Sequence, residues 1–203
     1  MLDLSYLRCV PGMVVMAPKD EQELRDMLYT AVEYKKGPIA IRYPRGNAMG
    51  VPARAGFRAL PIGRGETLRR GRDIALLAIG TMANHALAAA DELAAGGIEA
   101  EVLNFRFVKP LDMDLLRDVA TRLPALMTIE DNVTQGGFGS AVLEGLQELG
   151  LTDVWVKLHG LPDAYVEHGT PQELYRIVHL DPAGIAGVAA SFLGSRQRHD
   201  VTA

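Results

Sequence analysis

Short apolar runs alternate with amphipathic stretches along this chain, and the alternation predicts most of its elements. Met13-Val14-Val15-Met16-Ala17 ends at Pro18 and reads as a buried strand. Asp20 with Glu23 three residues on gives a capping-box-like helix start, a carboxylate replacing the usual hydroxyl. Leu24, Leu28, Ala31 and Val32 then share one helical face to about Lys35, and Gly37-Pro38 breaks the helix. Ile39-Ala40-Ile41 begins a second strand, which runs into Arg42-Tyr43-Pro44-Arg45-Gly46-Asn47. No cap or strand signal opens the chain before Pro11. Residues 50–72, rich in Gly, Pro and Arg and poor in apolar periodicity, read as a linker with room for one short strand.

From Asp73 the alternation becomes regular. Residues 74–79 predict a strand, and Thr81 can N-cap a helix that stops at Gly96-Gly97. Residues 100–104 predict a strand, and Asp112 can cap a helix through Leu115, Leu116 and Val119. A third strand over 126–129 ends in Glu130-Asp131-Asn132, and a Gly-rich turn at 135–140 enters a helix that ends near Gly150. Residues 154–158 predict a fourth strand. Thr170-Pro171-Gln172-Glu173 combines an N-cap, Pro at N1 and Glu at N3, and Asp181-Pro182 opens a last helix. Strands alternating with helices at this spacing indicate an α/β fold, a mostly parallel sheet covered on both faces. The pattern divides into a βαβ piece over 1–50, a linker over 51–72, an α/β domain over 73–194 and a polar, frayed tail over 195–203.

Composition narrows the class. The chain has 203 residues, 48% hydrophobic and 23% charged, and a formal charge of −4, values of a folded protein without the basic face of a nucleic-acid binder. A single cysteine, Cys9, excludes an internal disulfide framework and fits a reducing, cytoplasmic setting. No apolar run approaches bilayer length, no basic n-region opens the chain, and no membrane partner is expected. The start reads like the middle of something longer.

Arg42 and Arg45 stand where a strand ends, the place where open α/β sheets collect ligands, and could bind a phosphate or carboxylate. The bland alternative is a solvated or structurally paired arginine. Gly136-Gly137-Phe138-Gly139 before a helix resembles a phosphate cradle but is better read as a tight turn needing positive φ. Glu130 and Asp131, being adjacent on a strand, point to opposite faces and make a poor catalytic pair, though one could cap or pair locally. His85, His159, His168, His179 and His199 show no metal spacing and read as structural, with His159 and His168 flanking a loop at 160–163. Cys9 has no nearby His to activate it. These residues alone yield an anion site and no reaction.

Several blocks taken together go further. They are Asp3-Leu4-Ser5-Tyr6-Leu7-Arg8-Cys9, Met16-Ala17-Pro18-Lys19-Asp20-Glu21, Arg42-Tyr43-Pro44-Arg45-Gly46-Asn47-Ala48, Leu60-Pro61-Ile62-Gly63 and Arg106-Phe107-Val108-Lys109-Pro110-Leu111-Asp112. Gly136-Gly137-Phe138-Gly139-Ser140, Gly160-Leu161-Pro162-Asp163 and Glu167-His168-Gly169 continue the series. In this order the blocks closely resemble the 1-deoxy-D-xylulose-5-phosphate synthase family of the transketolase-like superfamily.

The resemblance implies a thiamine-diphosphate and Mg2+ enzyme that condenses pyruvate with D-glyceraldehyde 3-phosphate and releases carbon dioxide. Its product would feed isoprenoid, thiamine and pyridoxal phosphate synthesis. The resemblance covers the last part of a pyrimidine-binding domain and all of a transketolase C-terminal domain, which implies a homodimer. It supplies no counterpart of the metal-diphosphate motif or of the glutamate that activates the cofactor, so the isolated chain is expected to be inactive and to need the missing N-terminal portion. Arg45 matches the arginine that binds the substrate phosphate, with Arg42 and Arg8 expected to support it near the site. The competing expectation is a non-catalytic dimerisation or interaction module that keeps a residual phosphate-binding arginine.

Overall fold

A computed structural model describes residues 2–52 and 54–200, with side chains described to Ser195. Five strands form the larger sheet: β3 (Glu66–Arg69), β5 (Ala100–Asn104), β4 (Ile74–Ala78), β7 (Ala125–Val133) and β8 (Trp155–Leu161), in that spatial order. All neighbours are parallel except β3, which lies antiparallel at one edge. The period of two along β4 explains the two-sided core. Ile74, Leu76 and Ala78 join one apolar cluster, with α3 (Met82–Ala95) and α7 (Pro182–Asp200). Ala75, Leu77 and Ile79 join another, with α4 (Met113–Arg122) and α5 (Phe138–Glu148). Each of these fully buried Leu and Ile side chains contributes about 1.5–3 kcal/mol by leaving water.

A second, three-stranded sheet has the order β2 (Ile39–Ile41), β1 (Val14–Met16), β6 (Phe107–Lys109). β1 and β2 are parallel and joined by α2 (Glu21–Glu33), the βαβ piece the pattern predicted. β6 was not predicted; it pairs antiparallel with β1. Only Phe105 and Arg106 separate β5 from β6, so the chain changes sheets in two residues. Arg106 makes the turn with φ +59°, a left-handed conformation that a side-chain-bearing residue adopts only when its surroundings hold it.

What holds it is a buried polar clasp. Arg106 Nε donates to Glu23 Oε1 at 2.6 Å, and its guanidinium also pairs with Glu66. Lys19 Nζ reaches Glu66 Oε1 at 2.8 Å and Glu23 Oε1 at 3.2 Å, and Asn104 Nδ2 donates to both carboxylates. Glu23 is 3% exposed and Asn104 fully buried. The clasp explains a difference from the expected helix face. Glu23, Asp26, Met27 and Thr30 are the buried side of α2, whereas Leu28 and Val32 are 52% and 66% exposed. The inward polar groups are all matched: Asp26 takes Arg54, and the Thr30 hydroxyl accepts from the Leu60 amide. Asp20 Oδ1 accepts from the Glu23 amide as expected, but the Glu23 carboxylate takes the Lys19 amide instead of closing a capping box.

Other differences are local. Residues 3–8 form a short helix, α1 (Asp3–Arg8), that no side chain caps. Thr81 occupies an N-cap position with helical backbone angles and makes no side-chain cap bond. His159, Gly160 and Leu161 belong to β8 rather than to a loop. α6 (Pro171–Ile177) opens with the full Thr170–Glu173 capping box, and Asp112 caps α4 as read. α7 continues through Gly194 to Asp200 where a frayed tail was expected, and residues 201–203 lie outside the described part. Pro171–Ser195 is long and apolar enough to cross a membrane by composition, but it breaks into α6 and α7 between Val178 and Asp181, and Leu180, Ile185 and Ala189 sit in the core.

Candidate functional site

β2 ends at Ile41, and the following loop carries its polar residues over the carboxyl ends of the larger sheet's strands. Between this loop, the start of α3 and the short helix α6 lies a cleft of about 750 Å3. Arg42, Arg45, Thr81, His85, Asp131 and Tyr175 line it. Arg42 and Arg45 are thus brought to one cavity, but in different states.

Arg42 is paired on two sides. Its Nε donates to Asp3 Oδ2 at 2.9 Å, and its Nη2 donates to the Asp131 carbonyl at 2.7 Å and Oδ2 at 3.2 Å. Burial works against the charged guanidinium, but the two carboxylates more than offset it and hold its pKa above the ordinary value. Tyr175 extends the chain by donating its hydroxyl to Asp131 Oδ2 at 2.9 Å. Burial, then the Asp131 charge, pushes the Tyr175 phenol upward, so it stays protonated as a donor. Arg45 is exposed and has no hydrogen bond or ion pair to any described residue. Its guanidinium keeps all its donors for a ligand.

Arg8 is placed elsewhere. Its Nη1 donates to the carbonyls of Gly136 at 2.7 Å and Gly137 at 3.1 Å, and it pairs with Glu144, so it braces the start of α5 and does not line the cleft. The Gly-rich turn there already holds a carboxyl group of its own. Glu130 Oε2 accepts from the Phe138 amide at 2.7 Å and Oε1 from the Gly139 amide at 2.8 Å. Burial pushes the Glu130 carboxyl up to about 7 against the lowering pull of those amides. Gly136 adopts φ +67°, the tight turn that was read from the sequence. Glu130 faces α5 while Asp131 faces the cleft, as adjacent strand residues must.

Two of the histidines are tied by their rings to backbone carbonyls. His85 Nδ1–H donates to the Leu180 carbonyl at 2.7 Å, and its ring meets the Tyr175 ring edge-on at 5.2 Å. His159 Nε2–H donates to the His179 carbonyl at 2.7 Å, and burial holds its pKa below the usual value. His168 lies in an exposed loop, and the side chain of His199 is outside the described residues. Cys9 is exposed with no His beside it; its thiol donates to the Ser5 carbonyl. Among the described residues, no three His, Cys, Asp or Glu converge to hold a metal ion.

The model of the transketolase C-terminal domain matches residues 63–185, and that of the transketolase pyrimidine-binding domain matches residues 1–50. The chain belongs to the transketolase family. Among curated relatives in this family, a 1-deoxy-D-xylulose-5-phosphate synthase of Microcystis aeruginosa is 50% identical over 203 residues, 99% of this chain and 32% of its own length. One from Geobacter sulfurreducens is 52% identical over 194 residues, 96% of this chain and 30% of its own. The chain therefore spans about a third of the length of the synthases it matches. A solved split-gene transketolase, described as an inactive β4 tetramer, superposes with a TM-score of 0.82 at 34% identity, covering 95% of this chain and 61% of that one. A Pichia stipitis transketolase bound to sedoheptulose 7-phosphate shares the fold, with a TM-score of 0.65 at 20% identity, covering 96% of this chain and 27% of that one.

The Asp131–Tyr175 half of the cleft was missed from the sequence. The acidic pair at the end of β7 was visible, but the Tyr partner lies 44 positions away, and no local pattern links the two.

Proposed function

We propose that this transketolase-family chain is the portion of a 1-deoxy-D-xylulose-5-phosphate synthase that binds the phosphate of D-glyceraldehyde 3-phosphate. The observation that carries the reading is Arg45: an exposed, unpartnered guanidinium at the rim of a cleft over strand ends. Relatives at about 50% identity support the reaction class. Arg45 takes the phosphate by charge-assisted, fork-shaped hydrogen bonds. Arg42, already neutralised by Asp3 and Asp131, anchors the loop.

When bound, thiamine diphosphate supplies the carbon nucleophile for pyruvate, and we assign its binding to the rest of the synthase. The exposed Leu28 and Val32, beside the Tyr29–Phe57 stack, form the surface we assign to that contact. A homodimer in the cytoplasm completes the reading, and the tetrameric assembly of the split-gene relative supports self-association.

The test is reconstitution with the complementary portion of a synthase. Turnover of pyruvate and glyceraldehyde 3-phosphate should appear. Arg45→Ala should raise KM for the phosphorylated aldehyde by about 10-fold or more, with KM for pyruvate little changed. The second reading, an inactive interaction module, is favoured by the inactive β4 assembly of the split-gene relative. Tight association without turnover would select it.

A further inference from the structure

Four side chains from four separate elements form one continuous polar chain beside the cleft. Asp3 comes from α1, Arg42 from the end of β2, Asp131 from β7 and Tyr175 from α6. The links are 2.9 Å from Arg42 to Asp3, 3.2 Å from Arg42 to Asp131 and 2.9 Å from Tyr175 to Asp131. Asp131 Oδ2 accepts from both Arg42 and Tyr175. Residues 43–48, by contrast, are held lightly: Tyr43 is 59% exposed, Arg45 makes no bond to any described residue, and the loop is tied down again where the Met49 and Val51 amides donate to Glu21.

We propose that Asp131 and Tyr175 are positioning residues that hold Arg42 and thereby set the loop carrying Arg45 against the cleft. The consequence for phosphate rests on the Arg45 reading above; the consequence for the loop does not. Tyr175 supplies the one neutral donor in the chain, so it orients the Asp131 carboxylate without cancelling its charge, and Arg42 remains the only cation that carboxylate pairs with among the described residues. The backbone bond from Arg42 to the Asp131 carbonyl fixes the strand end that the carboxylate leans from.

Tyr175→Phe is the clean variant, because it keeps the ring that packs edge-on against His85. Asp131→Asn is the second, keeping the shape and removing the charge. In the purified full chain, hydrogen exchange of the loop's bonded amides, Arg42 on the Met16 carbonyl and Met49 and Val51 on the Glu21 carboxylate, should accelerate about 5-fold or more in both variants, with β4 and β7 unchanged. Inorganic phosphate, followed by titration calorimetry, should bind about 3- to 10-fold more weakly, while Arg45→Ala removes the binding. Unchanged loop exchange overturns the proposal, as does acceleration spread evenly over the strands, which marks a merely structural role. Unchanged phosphate affinity in both variants also overturns it. Loop-confined acceleration in a protein that binds no phosphate even as wild type supports the positioning role and sinks the phosphate reading instead.

Discussion

Arg106 Nε stands 2.6 Å from Glu23 Oε1, linking the residue at which the chain changes sheets to a helix packed on the smaller one. Removing Glu23 would leave Arg106 and Lys19, both largely buried, sharing the Glu66 carboxylate, with Asp20 a longer 3.7 Å from Lys19. Glu23→Ala should therefore lower unfolding free energy by about 3–5 kcal/mol in urea titrations. Glu66→Ala, at a side chain 30% exposed to water, should lower it by about 1 kcal/mol. Equal effects would argue against the clasp as the joint between the sheets.

The two cleft arginines should separate cleanly in a denaturation experiment. Arg42→Ala strips Asp3 and Asp131 of a shared partner and should lower stability by about 2–4 kcal/mol. Arg45→Ala touches no described partner and should change it by less than about 0.5 kcal/mol.

Gly137 and Gly187 make a matched pair of glycine tests. A Cβ at Gly137 would lie 2.1 Å from Glu130 Oε2 and 2.7 Å from the Val133 carbonyl, so Gly137→Ala should cost at least about 3 kcal/mol or block folding. Gly187, inside α7, has nothing within 4 Å of that position, and Gly187→Ala should raise stability by up to about 1 kcal/mol. Thermal melts of the two proteins decide both.

Glu130 sets a pH dependence of definite sign. Its folded pKa of about 7 lies above the ordinary 4.5, so the folded chain holds the proton more tightly than the unfolded chain. The contribution is complete below 4.5 and is lost as pH rises through about 7, up to about 3 kcal/mol in all. Glu130→Gln cannot lose a proton. The stability advantage of wild type over Glu130→Gln should shrink between pH 5 and pH 8, and an advantage that grows would contradict the burial of this carboxyl.

The larger sheet was legible because strands such as 74–79 are continuous apolar runs, a signal carried within each segment. The Thr170 capping box and the Asp112 cap were legible for the same reason. What escaped depends on partners far away in the chain. The apolar side of α2 read as its buried side because Leu28 and Val32 keep helical spacing; the polar side is buried because Lys19, Glu66, Asn104, Arg106 and Arg54 come from elsewhere to meet it. α1 escaped because it is six residues long without a side-chain cap, and β6 because three residues give no period. At the cleft, the sequence marked Arg42 and Arg45 at a strand end, but the difference between a paired and an unpaired arginine is a matter of Asp3 and Asp131, which only folding brings within reach.

The cleft's walls belong to different layers of the molecule: the loop after β2 on one side, α3 and α6 on the other. A ligand seated between them is also a strut. Its binding energy adds to the work needed to pull the two sheets apart, by about 2.7 kcal/mol when its concentration is 100 times its Kd. Occupancy of the cleft and stability are then linked, and this chain would be firmest when it is loaded.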